Sequence, residues 1–282
     1  MTEHVATPAR RIDPGRWLLT ALTAVAAILW FFPVYWAIVT SLRSDDQTVK
    51  DFALWPREPT LSGYIFDIQN SDLPIWYLNS TLTSVGVTLL VVFMSACTGY
   101  AISQLNFPGR KALWWMILAS FMVPVSALIV NHFIIIAQAG LLNTRLGVIL
   151  PMLIAPVTVI VYKQFFDGLP REFREAAVMD GATEFQLLFR VFLPMNWGIT
   201  TALAIITFIG AWNSFLWPFL ATQDEKMMTV TVGITAVQDA FGVAYGRVLS
   251  GAVLAGLPVS LAYLIFQRRV TQAITLSAGI KG

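Results

Sequence analysis

Apolar residues in this chain come in long blocks separated by short polar islands. The blocks run Trp17–Leu42, Ile75–Ser103, Ala112–Gln138, Leu146–Phe166, Trp197–Ala221 and Val248–Phe266, the last opening just after Arg247. A helix needs about 20 mostly apolar residues to cross the hydrocarbon of a bilayer. Each block is long enough, so the pattern predicts an all-α polytopic membrane protein with six transmembrane helices. Pro151 and Pro156 interrupt the fourth block, and Gly86 and Gly99 the second. Membrane helices tolerate such breaks when neighbours re-satisfy the freed backbone groups. Both helices are therefore expected to be kinked and buried in protein.

The islands set the boundaries. Residues 1–16 form a polar tail, 17–266 the membrane domain, and 267–282 a second tail. The loop 43–74 carries Asp45, Asp46, Asp51, Glu58, Asp67 and Asp72 against three basic residues. Its Pro56, Pro59, Pro74 and Gly63 are turn signals, and a loop of this length reads as functional or as a plain solvent cap. Short turns at Asn106–Lys111 and Ala139–Arg145 join antiparallel neighbours, and no period of 20 to 50 residues recurs.

Composition agrees with a bilayer: 57% of residues are hydrophobic and 12% charged, with a mean hydropathy of +0.69. With both termini inside, twelve basic residues face inward (Arg10, Arg11, Arg16, Arg110, Lys111, Lys163, Arg171, Arg174, Arg190, Arg268, Arg269, Lys281). Six face outward (Arg43, Lys50, Arg57, Arg145, Lys226, Arg247), as the positive-inside rule demands. The net charge of +2 thus reflects topology and gives no reason to invoke nucleic acid. The first block is longer than a signal-peptide core and no small-x-small cleavage site follows it, so it reads as a signal anchor. The single cysteine, Cys97, reads as a packing residue within the second block.

The inner island 167–195 has the most local detail. Pro170 suits the first turn of a helix, Arg171–Met179 carries it forward, and Asp180-Gly181 stops it. Thr183-Glu184-Phe185-Gln186 reads as a capping box opening a second helix through Phe189, Val191 and Phe192, with Leu193-Pro194 turning into the next block. Arg171 and Glu175 are spaced to pair weakly on one helical face. Two short helices joined at a glycine form a knob at the membrane surface, with Glu175 offered to a partner.

Glu175-Ala176-Ala177-Val178-Met179-Asp180-Gly181-Ala182, followed by Leu193-Pro194, resembles the EAA motif of binding-protein-dependent ABC importers. Within these it is most similar to the carbohydrate permeases related to the smaller maltose-transporter subunit. Asn79-Ser80, Trp212-Asn213-Ser214-Phe215-Leu216-Trp217-Pro218 and Gly279-Ile280-Lys281-Gly282 carry the same resemblance. It implies a type I importer permease of the bacterial inner membrane that moves a sugar or glycoside inward. A polyol or glycerol phosphate is the alternative cargo. It also implies partners: a cytosolic ATPase dimer holding ATP and Mg²⁺, a second homologous permease, a periplasmic or lipid-anchored solute-binding protein, and surrounding lipid. Glu175, Ala176, Ala177, Asp180, Gly181, Leu193 and Pro194 would form the ATPase-coupling surface, although Gly181 could simply end a helix. Residues 277–282 would reach toward the ATPase or lie disordered. The loop 222–245 would touch the binding protein or act as a connecting helix.

The chain has no Gly-x-x-x-x-Gly-Lys-Ser/Thr loop, so it is expected to bind no nucleotide and to need no cofactor of its own. Its histidines are only His4 and His132, which offers neither a metal set nor a nucleophile–base pair. An ion-coupled transporter would place charges in mid-span, and here only Lys163 lies within a block, near its inner edge. Candidate contacts to a sugar are Asn79, Ser80, Asn131, His132, Gln138, Trp212 and Asn213, since aromatic faces stack on pyranose rings and amides bind hydroxyls. For His132, a hydrogen-bonded packing role is the stronger expectation.

Overall fold

The computed structural model describes residues 14–50, 53–236 and 245–277, and among these every regular element is helical. Helix α1 (Pro14–Ser41) packs along the terminal helix and leaves most of its apolar surface exposed. The loop that follows holds a short α2 (Asp45–Lys50) and α3 (Ser62–Asn70). The centre of the fold is α4 (Leu73–Gln104), 32 residues long, or about 48 Å at 1.5 Å per residue. Next come α5 (Arg110–Phe121), α6 (Ile129–Gln138), α7 (Arg145–Ile149), α8 (Pro156–Asp167) and α9 (Arg171–Met179). The chain continues through α10 (Glu184–Gln186), α11 (Leu193–Met195), α12 (Trp197–Trp212), α13 (Leu216–Ala221), α14 (Val230–Ala236) and α15 (Tyr245–Ser277).

Three helices are unbroken and apolar enough to cross a membrane: Gly15–Ser41, Leu73–Gln104 and Tyr245–Gln267. Three further pairs qualify only when each is taken as one bent span, bringing the number to as many as six. The fourth block bends as expected, by 49° between Arg145–Leu153 and Pro156–Asp167. Ile154 and Ala155 leave helical geometry ahead of Pro156 there, as residues before proline tend to do.

The other breaks differ from the sequence expectation. The third block, read as continuous from Ala112 to Gln138, turns by 95° between α5 and Val125–Gln138, at an extended Pro124. The fifth block is divided. Helix α12 stops at Trp212, three residues short of α13, while Glu184–Met195 meets α12 at an 86° bend through the non-helical Asn196. The expected kink in the second block is absent, and α4 runs continuously past both glycines. They serve close packing instead. A Cβ on Gly99 would lie 2.8 Å from the Tyr162 Cβ and 3.1 Å from the Lys163 nitrogen of α8. One on Gly86 would lie 3.0 Å from the Ile149 side chain.

Helix α4 packs on α8 and α12. Its buried hydroxyls are satisfied within the helix: Thr83 donates to the Asn79 carbonyl at 2.7 Å, and Thr88 to that of Ser84 at 2.7 Å. Arg145, Lys226 and Arg247 gather around its N-terminal end, whereas Lys163 and Arg174 lie near its C-terminal end. The helix therefore separates two polar poles. The sixth block continues in helical form to Ser277, and the motif Gly279–Gly282 lies outside the described residues.

Replacing Gly99 with valine should wedge α4 from α8 and destabilise the protein by roughly 1–3 kcal/mol, the usual range for overpacking. Gly198 has nothing within 4 Å of its would-be Cβ, so Gly198→Ala should be neutral or slightly stabilising. Thermal unfolding of both variants in detergent checks the contrast.

Candidate functional site

The knob is built by local rules. Pro170, extended at φ −57° and ψ 136°, precedes α9, and its missing N–H is of no consequence at a helix start. The helix ends in a Schellman arrangement: Gly181 N–H donates to the Val178 carbonyl at 3.0 Å, and Ala182 N–H to that of Ala177 at 3.0 Å. This closure places Gly181 at φ 77°, a left-handed conformation in which any other residue is strained. No neighbouring atom lies within 4 Å of its would-be Cβ, so within this chain the constraint is torsional and steric room remains. Thr183 and Gln186 form the capping box, with Thr183 N–H on Gln186 Oε1 at 2.9 Å and Gln186 N–H on Thr183 Oγ1 at 3.4 Å. Beyond α10 the chain is wound as a π-helix over Leu187–Phe192, where an α-helix was expected.

The inner side of the knob is rooted in a buried cluster of Ala96 and Tyr100 from α4, Tyr162 and Phe166 from α8, and Leu187, Leu188 and Phe192. Ala177, Ala182 and Leu193 pack against it, so these three candidates face inward at least in part. Glu175, Ala176, Asp180, Gly181 and Pro194 are exposed. Beside them lie two large apolar side chains in the open, Met179 at 87% exposure and Phe185 at 69%. Exposed apolar tips on a helix that also carries charge suit a protein partner.

Charges tie the knob together. Arg174 Nη2 lies 2.5 Å from Glu184 Oε1, an ion pair that replaces the Arg171–Glu175 pair expected from spacing. The Tyr100 hydroxyl donates to Glu184 Oε2 at 2.5 Å. Alongside, Lys163 pairs with Asp167 at 2.5 Å and lies 4.7 Å over the Trp114 ring, while Ser103 donates to Asp167 at 2.6 Å.

Sequence reasoning passed over Tyr100, Arg174, Met179 and Phe185. A tyrosine within an apolar run and an aromatic inside a capping box are weak signals. Glu184 was noticed only as part of that box.

The path candidates fall into two groups. Asn79 is 1% exposed, and its amide is fully engaged: Nδ2 donates to the carbonyls of Lys226 at 2.9 Å and Met228 at 3.0 Å, and Oδ1 accepts from Arg145 Nε at 3.0 Å. Ser80 accepts the Val230 N–H at 2.8 Å, and Trp212, 3% exposed, donates to the Ala255 carbonyl at 3.1 Å. These three fasten α14, α15 and the segment before α14 to the core. Asn131, Gln138 and Asn213 are exposed, and His132 is half-buried with its ring edge-on to Trp217 at 5.9 Å. The structure does not bring the candidates to one place. Among the described residues no three His, Cys, Asp or Glu side chains converge to hold a metal.

The fold is that of an ABC importer permease. The chain superimposes on a permease of the bacterial ABC transporter that imports the acidic polysaccharide alginate, with a TM-score of 0.83 over 94% of this chain and 99% of that one, at 19% identity. Residues 94–276 match the model of the binding-protein-dependent transport system inner membrane component family, and the chain belongs to that family. It is 29% identical to the arabinooligosaccharides transport system permease protein AraQ of Bacillus subtilis (strain 168), over 94% of this chain and 95% of that protein. It is 32% identical to the sulfoquinovosyl glycerol transport system permease protein SmoH of Agrobacterium fabrum, over 95% of each. The resemblance to carbohydrate-uptake ABC permeases is borne out.

Replacing Asn79 with alanine should leave Arg145 and the carbonyls of Lys226 and Met228 without their partner and cost about 1–3 kcal/mol. Asn131→Ala, at an exposed site, should stay within about 0.5 kcal/mol. Unfolding of the two variants in detergent separates a fastening residue from a surface one.

Proposed function

We propose that this chain is one of two permease subunits of an ATP-driven, binding-protein-dependent importer of a sugar or glycoside. Family membership supports the importer role, and the relatives named for arabinooligosaccharides and sulfoquinovosyl glycerol support a sugar-bearing cargo. The chain contributes half of the translocation path beside a homologous permease and receives its solute from a periplasmic or lipid-anchored binding protein. ATP and Mg²⁺ are bound by a separate ATPase dimer. The membrane domain crosses six times with both termini cytosolic, the loops 43–74 and 222–245 lie outside, and 167–195 lies inside.

One observation carries the docking of that ATPase: a two-helix knob turned at Gly181, apolar where it meets α4 and α8, and exposing Glu175, Met179 and Phe185. Such a body holds its shape when a partner grips it, so closure of the ATPase dimer moves the spans. Ion coupling is not favoured, because Lys163 is already held by Asp167 and the Trp114 ring.

A cysteine at Met179 should cross-link to the ATPase in the assembled transporter, and uptake should vanish when that ATPase is inactivated. Gly181→Trp should insert normally yet lose the ATPase, with uptake falling at least about tenfold, which corresponds to ~1.4 kcal/mol. Gly181→Asn, which tolerates positive φ, should retain much of it. Uptake that persists without the ATPase, or a Met179→Cys variant that never cross-links, would refute the docking role.

A further inference from the structure

We propose that Glu184 is a positioning residue that locks the coupling helix α9 to the membrane helix α4, so that force entering the knob reaches the spans; this rests on the docking reading above. Its two carboxylate oxygens serve different elements. Oε1 holds Arg174 of α9 at 2.5 Å, and Oε2 accepts from Tyr100 of α4 at 2.5 Å. Glu184 is itself oriented by the capping box at the start of α10, one residue after Thr183. Three elements thus meet on one side chain.

The two ends of this link are fixed in different ways. Tyr100 is 3% exposed, with its ring edge-on to Phe166 at 6.1 Å and to Phe192 at 5.2 Å, so its hydroxyl moves only when the cluster moves. Arg174 meets Glu184 through Nη2 while its Nε is buried without an acceptor, which leaves Glu184 to orient the guanidinium. The remaining contacts between α9 and the membrane helices are apolar, through Ala177. Apolar contacts are non-directional and let surfaces slide. Charge-assisted hydrogen bonds fix both distance and direction. The Arg174–Glu184 pair is partly exposed, so its worth lies in geometry more than in stability.

The test uses the whole transporter in proteoliposomes, with its ATPase, second permease and loaded binding protein. Tyr100→Phe keeps the aromatic cluster intact, and Glu184→Ala removes the shared carboxylate at a solvent-facing position. The readouts are complex yield and solute taken up per ATP hydrolysed. Each single variant should assemble in normal yield and lower uptake per ATP by roughly tenfold, the scale of one charge-assisted hydrogen bond. The double variant should be no worse than the worse single one, because both remove the same link. An unchanged ratio in Tyr100→Phe, additive losses, or loss of the ATPase from the Glu184→Ala complex would overturn the proposal. If Met179→Cys cross-links normally while the ratio is unmoved, Glu184 alone is refuted; if it does not cross-link, the docking reading falls and this one with it.

Discussion

The contact on which the rest of this molecule depends is the close packing of α4 against α8. Gly99 removes the side chain that would keep the helices apart, and Tyr162 and Phe166, both fully buried, fill the space beside it. Phe192 of the following segment closes the cluster over Tyr100. A surface loop therefore begins inside the hydrophobic core. Its helices inherit their position from the two membrane helices beneath them, and its polar outer side is free for recognition.

At the other end of α4 the constraint is different. Backbone carbonyls and N–H groups that turn between helices near a bilayer need internal partners. The protein supplies them with side chains that reach across from other elements. Trp76 donates to the Glu225 carbonyl at 2.7 Å, Trp217 to those of Gly147 and Val148 at 3.2 and 3.1 Å, and Asn143 accepts from Gln223 and Asp224 at 2.6 and 3.0 Å. Gly233 lies flat against the Trp76 indole, where a Cβ would come within 2.1 Å of the ring. The aromatic and amide residues that a sugar path would also use are here largely the fastenings of the fold.

What could be read from sequence follows from range of interaction. Apolar blocks, the Schellman glycine and the capping box are local, and each was visible in a few adjacent letters. The bend at Pro124 carried the same proline signal as the one at Pro156 yet was missed, because the block around it stays apolar and long enough to cross in one piece. Gly86 and Gly99 were misread as kinks because a glycine inside a helix has two meanings, a bend or a close approach, and only the neighbouring helix decides between them. The pairing of Glu184 with Tyr100 spans 84 positions, and nothing near either residue announces it. The same holds for Asn79, whose polar character suggested a ligand until its carbonyl partners were known.

The π-wound stretch Leu187–Phe192 has a consequence for how this segment can change in evolution. A π turn accommodates one residue more than an α turn over the same path. Losing a single position there would let the backbone relax to ordinary winding and rotate everything after it by about 100°, carrying Leu193, Pro194 and the start of α12 onto a different face. Letters in this stretch are exchangeable within the limits of the core, but its length is not: indels would be purged where substitutions survive.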